Sequence, residues 1–262
     1  MSSESILADA MATTLSSFAL GNVLLAFDYD GTLAPITATP ARARMRPTTR
    51  RLLERVARTY PCVVISGRAL SDITRRLEHL PLWYIFGNHG SEPTTTAPGN
   101  RTREWVRLLT GALHSISGVV VEDKQYSVTV HYRAAANRRG ARVAILEAVQ
   151  HLADVRIVGG TEAINVLARD APDKGSALGY ALRAFACNMA VYIGDDETDE
   201  DAFAALPPDR LLSIRIGAAP PSSRARFHLE SQKEIDAFLE RLLGLRRDIS
   251  NGHIGQSFEF NP

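Results

Sequence analysis

Lysine is nearly absent from this 262-residue chain. It stands only at Lys124, Lys174 and Lys233, and arginine supplies the rest of the 30 basic residues. A chain that uses arginine wherever a generic cation serves keeps lysine where a compact ammonium is needed instead of a planar fork. Cysteine is equally scarce. Cys62 lies in the apolar run Cys62-Val63-Val64-Ile65 and reads as a small buried hydrophobe; with Cys187 as its one counterpart, no disulfide framework is expected, and the usage fits a reducing cytosol. Charge of one sign is missing too. The 30 basic and 29 acidic residues give a formal net charge of +1, which excludes the concentrated basic face of a protein that binds nucleic acid or a membrane surface. No apolar run approaches the ~20 residues that span a bilayer. The N-terminus carries Glu4 and Asp9 and lacks the positive cluster of a signal peptide. The expectation is a cytoplasmic, monomeric protein with no nucleic-acid or membrane partner.

What is present is ordinary for a globular enzyme: 45% apolar and 23% charged residues, in a length that suits a core with an insert. Val23–Phe27 is a short apolar run ending in Asp28, Cys62–Ile65 a second closed by Ser66-Gly67, and Trp83–Phe86 a third ending at Gly87. Helical spacing lies between them, with Leu52, Leu53, Val56 and Ala57 over 48–60, then Leu70, Ile73 and Leu77. Strands that are apolar throughout and alternate with helices predict a parallel sheet covered on both faces.

The middle differs. A helix is expected over Glu104–Ile116. Two closely spaced strands follow, Gly118–Glu122 and Ser127–Tyr132, and the second sets Val128 and Val130 opposite Thr129 and His131, the alternation of a half-exposed strand. A helix over Arg142–Leu152 and two short strands ending near Leu167 complete an α+β insert over about residues 93–168, antiparallel with helices on one side. The parallel pattern resumes with a helix at Lys174–Ala186, a strand at Ala190–Ile193, a helix at Thr198–Ala205, a last strand at Leu211–Ile214 and a closing helix at Ile235–Leu243. This gives a doubly wound α/β core over 20–92 and 169–245, and a loose polar tail over 246–262.

Two acidic clusters stand at strand ends: Asp28-Tyr29-Asp30-Gly31-Thr32 and Gly194-Asp195-Asp196-Glu197-Thr198-Asp199. Ligands of open parallel sheets bind beyond the carboxyl ends of the strands, so the clusters can converge. Converging carboxylates call for a hard divalent ion, and Mg²⁺ is the common choice where phosphate is handled. Lys174, at a helix start, is a second cation. Asp28 and Asp30 suit a division of labour: one carboxylate attacks phosphorus, and the other protonates the leaving alcohol and then activates water. Ser66 and Gly67 offer a hydroxyl and N–H groups to phosphate oxygens. Asp199, Glu200 and Asp201 taken alone read as a solvated helix N-terminus, which the helix dipole favours.

Asp28-x-Asp30-Gly31-Thr32, Ser66, Lys174 and Gly194-Asp195-Asp196-x-x-Asp199 together resemble the four-motif signature of the haloacid-dehalogenase superfamily. The resemblance implies Asp28 as nucleophile and Asp30 as acid/base, Ser66 and Lys174 on phosphate, and Mg²⁺ held by Asp28, the Asp30 carbonyl and Asp195, with Asp196 and Asp199 close by. Within the superfamily, Glu122 through Arg133 resembles the cap motif of trehalose-6-phosphate phosphatases, and Gly87-Asn88-His89-Gly90-Ser91-Glu92 their motif at the cap entry. By that resemblance Glu122 and Lys124 bind hydroxyls of the glucose distal to the phosphate, and His89, Glu92 and Asn165 join the substrate site. The family commonly carries a further Glu followed by Arg-Pro; here the stretch reads Glu162-Ala163-Ile164-Asn165-Val166-Leu167-Ala168-Arg169, which leaves Glu162 and Asn165 as candidates to stand in. The implied activity is hydrolysis of trehalose 6-phosphate, with a functional link to the synthase that makes it. The rivals are a phosphatase of another sugar phosphate, such as sucrose phosphate or a glucosyl-polyol phosphate, and a non-catalytic sensor of sugar phosphate.

Overall fold

Five consecutive residues with almost no exposed surface, β2 (Val23–Phe27), form the centre of the molecule, and their side chains alternate between two cores. In this computed structural model, which describes residues 4–37, 39, 42–93, 100–160, 162–218 and 220–252, Val23, Leu25 and Phe27 enter one hydrophobic cluster while Leu24 and Ala26 enter another on the opposite face. That two-sided burial is why the run is apolar without interruption. Around β2 a seven-stranded sheet is assembled from β1 (Glu4–Ser5), β3 (Cys62–Ile65), β4 (Tyr84–Phe86), β9 (Met189–Gly194), β10 (Leu211–Ile216) and β11 (Phe227–Leu229), in the order β1-β11-β10-β9-β2-β3-β4 with every pairing parallel.

Helices cover both faces. On one side α1 (Ala12–Ala19), α2 (Pro47–Ala57), α3 (Leu70–Arg76) and α8 (Ile235–Gly252) contribute Leu15, Leu53, Ile73 and Phe238; on the other α6 (Lys174–Ala184) and α7 (Glu200–Phe203) contribute Leu178 and Phe203. The chain leaves β2 toward β3 on one side and returns as β9 on the other. The switch in strand order therefore falls at the C-terminal end of β2, where Asp28 stands between Ser66 and Asp195 at the ends of its neighbours.

Between β4 and α6 the chain builds a second sheet, β5 (Val120–Asp123), β6 (Ser127–His131), β7 (Val155–Gly160) and β8 (Ala163–Ala168), antiparallel in the order β5-β6-β8-β7. Two helices, α4 (Asn100–Leu113) and α5 (Arg138–Gln150), lie on one face, where Trp105, Leu109, Ile145 and Val149 pack on Val128, Val130, Ile164 and Val166 in a third cluster of their own. The other face is polar. Thr129 was expected on a half-exposed strand, but it is buried, because that face looks onto a cleft shared with the parallel sheet instead of onto bulk water.

Other departures are local. The strand expected to be last, Leu211–Ile214, extends to Ile216 and is followed by β11; β11 and β1 are three and two residues long, too short to show a period. In place of a helix over Thr198–Ala205 there is a tight turn, Glu197–Asp199, before the four-residue α7. The closing helix runs to Gly252, so residues 246–252 are helical where a loose tail was expected; Arg246 anchors this stretch by donating to the Gly21 carbonyl and lying over the Tyr60 ring. The rest of that tail, 253–262, lies outside the described residues, as do 94–99 at the start of the insert. Among the described residues no helix is long and apolar enough to cross a membrane.

Leu53 has no exposed surface and lies in the main cluster. Leu53→Ala should lower the unfolding free energy by about 2–5 kcal/mol, the cost of lost transfer energy plus a residual cavity. Denaturant titration checks this, and an unchanged midpoint would contradict the packing described.

Candidate active site

Asp28 continues β2 for one more residue, its N–H donating to the Ile193 carbonyl at 2.9 Å, so its carboxylate emerges at the sheet end beside β9. Its side chain is 6% exposed. Lys174 meets it from the first turn of α6, a helix whose start is fixed by the Asp173 side chain accepting the Ser176 N–H at 2.7 Å. The Lys174 ammonium donates to Oδ1 of Asp28 and to Oδ1 of Asp199, both at 2.7 Å. Burial alone would lower the lysine; Asp199 and then Asp28 override it and hold it well above its usual range.

Asp199 corrects the reading as a solvated helix start. It has no exposed surface, and both its oxygens are engaged: Oδ1 also accepts the Tyr192 hydroxyl at 2.7 Å, and Oδ2 accepts the N–H groups of Asp195 and Asp196 at 2.9 and 3.0 Å. The turn Glu197–Asp199 folds this side chain back over the end of β9, and Asp196 closes the turn by accepting from the Thr198 N–H and hydroxyl at 2.8 and 2.6 Å. Asp195 rests against Gly31, which has φ +86° and no Cβ to collide with the Asp195 carboxylate.

Asp28, Asp195 and Asp199 each bring one oxygen within 4.8 Å of the others. Burial is the main reason the Asp28 and Asp195 carboxyls are pushed well above the ordinary range, and neighbouring carboxylates add to it. A divalent cation would offset both effects. Since Asp199 is committed to Lys174, Tyr192 and two amides, Asp28 and Asp195 are the carboxylates with oxygens to offer, and the all-oxygen donor set suits a hard cation.

The loop after β3 forms the facing wall. Ser66 is fully buried; its Oγ accepts the Arg68 N–H at 3.2 Å and its carbonyl accepts the His89 N–H at 2.9 Å. Gly67 lines the cleft, and a Cβ there would strike the His89 imidazole. His89 sits in the left-handed region at φ 59°, 7% exposed, and among the described residues neither ring nitrogen has a hydrogen-bond partner. Burial, then Lys174, Lys124 and Arg156, hold it well below the usual histidine value, so the ring is neutral. Asp30 is gripped by Arg68, whose Nε and Nη2 donate to its two oxygens at 2.6 Å each.

The polar face of the inserted sheet closes the cleft. Lys124 donates to the Gly67 carbonyl at 3.2 Å and is lowered chiefly by burial. Glu122 accepts from His131 Nε2 at 2.7 Å, which is the first cause of its lowered value. Of the two candidates for the missing family glutamate, Asn165 lines the cleft with Oδ1 on the Thr129 hydroxyl at 2.8 Å, while Glu162 is spent on Arg133, at 3.1 Å, and Arg138. Glu92, expected among the substrate-binding residues, does not line the cleft: its Oε2 accepts from the Leu70 N–H and Asn88 Nδ2 at 2.8 and 2.6 Å and fixes the entry loop. The cleft, open to solvent, has a volume of about 290 Å³, near the lower end of the range for small-molecule sites. Arg68, Thr129, His131 and Arg133 also line it and were not singled out beforehand. The β6 alternation carried a signal for Thr129 and His131; Arg68 had none in a chain so rich in arginine.

The trehalose-phosphatase family model matches residues 26–233. A probable trehalose-phosphate phosphatase D of Arabidopsis thaliana is 30% identical over 248 residues, covering 84% of this chain and 67% of its own length. A trehalose-phosphate phosphatase of Mycolicibacterium paratuberculosis is 34% identical over 239 residues, covering 82% and 61%. The chain thus spans about two thirds or less of these curated relatives. In fold it is similar to the C-terminal domain of C. albicans trehalose-6-phosphate phosphatase, with a TM-score of 0.79 at 19% identity over 93% of this chain and 99% of that one.

The neutral burial of His89 has a pH signature. The unfolded chain takes up a proton near 6.5 and the folded protein resists it, so stability is present above that pH and lost as pH falls through it. Relative to His89→Asn, the wild type should lose unfolding free energy, on the order of 1 kcal/mol, as pH falls from 7.5 to 5.5. A stability difference that does not change with pH would show that the ring protonates freely in the folded protein.

Proposed function

The chain belongs to the trehalose-phosphatase family, and from that premise we propose that it hydrolyses trehalose 6-phosphate to trehalose and inorganic phosphate through a phosphoryl group carried on Asp28. The observation that carries the reading is the meeting of Asp28, Lys174 and Asp195 at the switch point of the parallel sheet, under a second sheet whose polar face is turned toward them.

Lys174 ties down Oδ1 of Asp28, which leaves Oδ2 as the attacking atom. Its electron pair forms the bond to phosphorus; the bond to the sugar oxygen breaks, and that oxygen takes a proton from Asp30. Asp30 then takes a proton from water, the hydroxide attacks phosphorus, and the Asp28–phosphorus bond breaks to release phosphate and restore the carboxylate. Ser66, the Gly67 N–H and Lys174 are the phosphate-holding groups. Asp28, the Asp30 carbonyl and Asp195, with Asp196 and Asp199 behind them, would hold Mg²⁺, which when bound would supply positive charge to the phosphoryl oxygens.

Residues 93–168 act as a cap on a core of 20–92 and 169–245. Their hydrophobic cluster is separate from the two around the parallel sheet, and polar contacts join the layers: Lys124 to Gly67, Ser127 to Asn88, Arg133 to Thr37 and Arg156 to Asp201. Such an interface opens without tearing a core, which suits closure over a sugar and exclusion of water. Glu122, Lys124 and Asn165 face the distal glucose, and His89, between Gly67 and the two cleft lysines, serves the junction of sugar and phosphate. The reduced cysteines accord with a cytoplasmic setting.

A panel of sugar phosphates, read by phosphate release, tests the assignment. Trehalose 6-phosphate should be the best substrate; the rate should vanish with EDTA and return with Mg²⁺, and Asp28→Asn should lose at least ~10³-fold with the fold retained. Faster turnover of a sucrose phosphate or a glucosyl-polyol phosphate would move the reading to that substrate, and metal-independent phosphate release would sink it.

The cap reading has its own test. Glu122→Ala and Lys124→Ala should each cost about tenfold to a few hundredfold in kcat/KM on trehalose 6-phosphate, since each strands substrate hydroxyls worth roughly 1–3 kcal/mol. Hydrolysis of p-nitrophenyl phosphate, which has no distal sugar, should change little. Equal losses on both substrates would mean that these residues support the core instead.

A further inference from the structure

Asp30 is held more firmly than an acid/base half open to solvent would be if left to itself. Its side chain is 39% exposed, and the Arg68 side chain that grips it is 11% exposed. Arg68 is in turn held from behind. Its Nη1 donates to Asp72 at 2.8 Å, Asp72 accepts from Arg76 Nε at 3.0 Å, and the guanidinium carbon lies 5.6 Å from the centroid of the fully buried Tyr29 ring. Arg76 donates to the Ala43 carbonyl at 2.6 Å, which ties the series to the loop after β2. The chain Arg76–Asp72–Arg68–Asp30 thus runs from the body of α3 to the cleft, with no turn of it left to chance.

We propose that Arg68 is a positioning residue for Asp30: it fixes the plane of that carboxylate and stabilises the negative charge that develops on it as its proton passes to the leaving oxygen. A fork-to-fork pair uses one lone pair on each carboxylate oxygen and leaves another for the proton. When the bond from phosphorus to the sugar oxygen breaks, the proton moves from Asp30 to that oxygen, and Asp30 becomes an anion beside a cation that needs no rearrangement. The inference rests on the reading of Asp30 as the acid.

The need for that proton depends on the leaving group. A sugar or simple alkyl oxygen requires it, whereas p-nitrophenolate departs without help. Because kcat/KM reports the steps up to departure of the leaving group, it isolates this event. Three substrates separate the roles open to Arg68: trehalose 6-phosphate, glycerol phosphate as an alkyl ester without a distal sugar, and p-nitrophenyl phosphate. Arg68→Lys, which keeps the charge and cannot form the fork, should lower kcat/KM on both alkyl esters by about tenfold or more, and on the aryl ester by a clearly smaller factor. Asp72→Asn should give the same pattern more weakly. In an Asp30→Asn background, Arg68→Lys should add less than about threefold on glycerol phosphate, because the two residues act as a unit. Equal loss on all three substrates would make Arg68 a phosphate ligand or a prop of the fold, and loss on trehalose 6-phosphate alone would make it a sugar contact; either overturns the proposal. If Asp30→Asn itself shows no difference between alkyl and aryl esters, the acid assignment fails and this inference with it. If Asp30→Asn shows the difference and Arg68→Lys does not, the inference alone fails.

Discussion

One buried ammonium joins two buried carboxylates that arrive from strand ends far apart in sequence: Lys174 with Asp28 and Asp199, at 2.7 Å each. Removing a partner from such a set leaves an uncompensated buried charge, typically at 3–5 kcal/mol. The arrangement dictates what surrounds it. Asp199 must spend its second oxygen on the amides of Asp195 and Asp196, and this bends the chain after β9 into a turn that presents the Asp195 carboxylate to the cleft. Asp28 must be held by one oxygen, which leaves the other directed to chemistry. The parallel sheet is the frame that makes the meeting possible, because its strand order brings the ends of β2 and β9 side by side.

The inserted sheet solves a different problem with the same period of two. One face of β6 and β8 supplies Val128, Val130, Ile164 and Val166 to a separate core, and the other supplies Thr129, His131 and Asn165 to the cleft. The two layers therefore touch through groups that water can replace. The two surfaces meet at Lys124, whose ammonium reaches the Gly67 carbonyl.

Much of this was legible in the sequence, for identifiable reasons. A wholly apolar run ending in aspartate marks a buried strand that delivers a carboxylate, and Asp28 and Asp195 meet as that pattern implies. The scarcity of lysine pointed the same way: of three lysines, Lys124 and Lys174 line the cleft. Other features left no trace. β1 and β11 are too short for a period, and their pairing depends on partners distant in the chain. Arg68 was hidden by the abundance of arginine. Taken with its acidic neighbours Glu200 and Asp201, Asp199 reads as a solvated helix N-terminus, and only the family resemblance sets it beside the metal; its burial is decided by Tyr192 and Lys174, contacts that no local pattern records. Glu162 and Asn165 could not be ranked until Arg133 and Arg138 were seen to occupy the first.

The parallel sheet ends, at either margin, on its shortest strands. Among the described residues β1 offers two residues and β4 three, and the Tyr84 ring of β4 packs against Tyr180 and Phe185. An exposed strand margin is a template on which another chain can extend the hydrogen-bond ladder, and brevity removes the template. The longer apolar strands of the parallel sheet are interior among the described residues. A crowded solution of folded molecules thus finds few free amides along the borders of the parallel sheet on which to nucleate intermolecular β-structure.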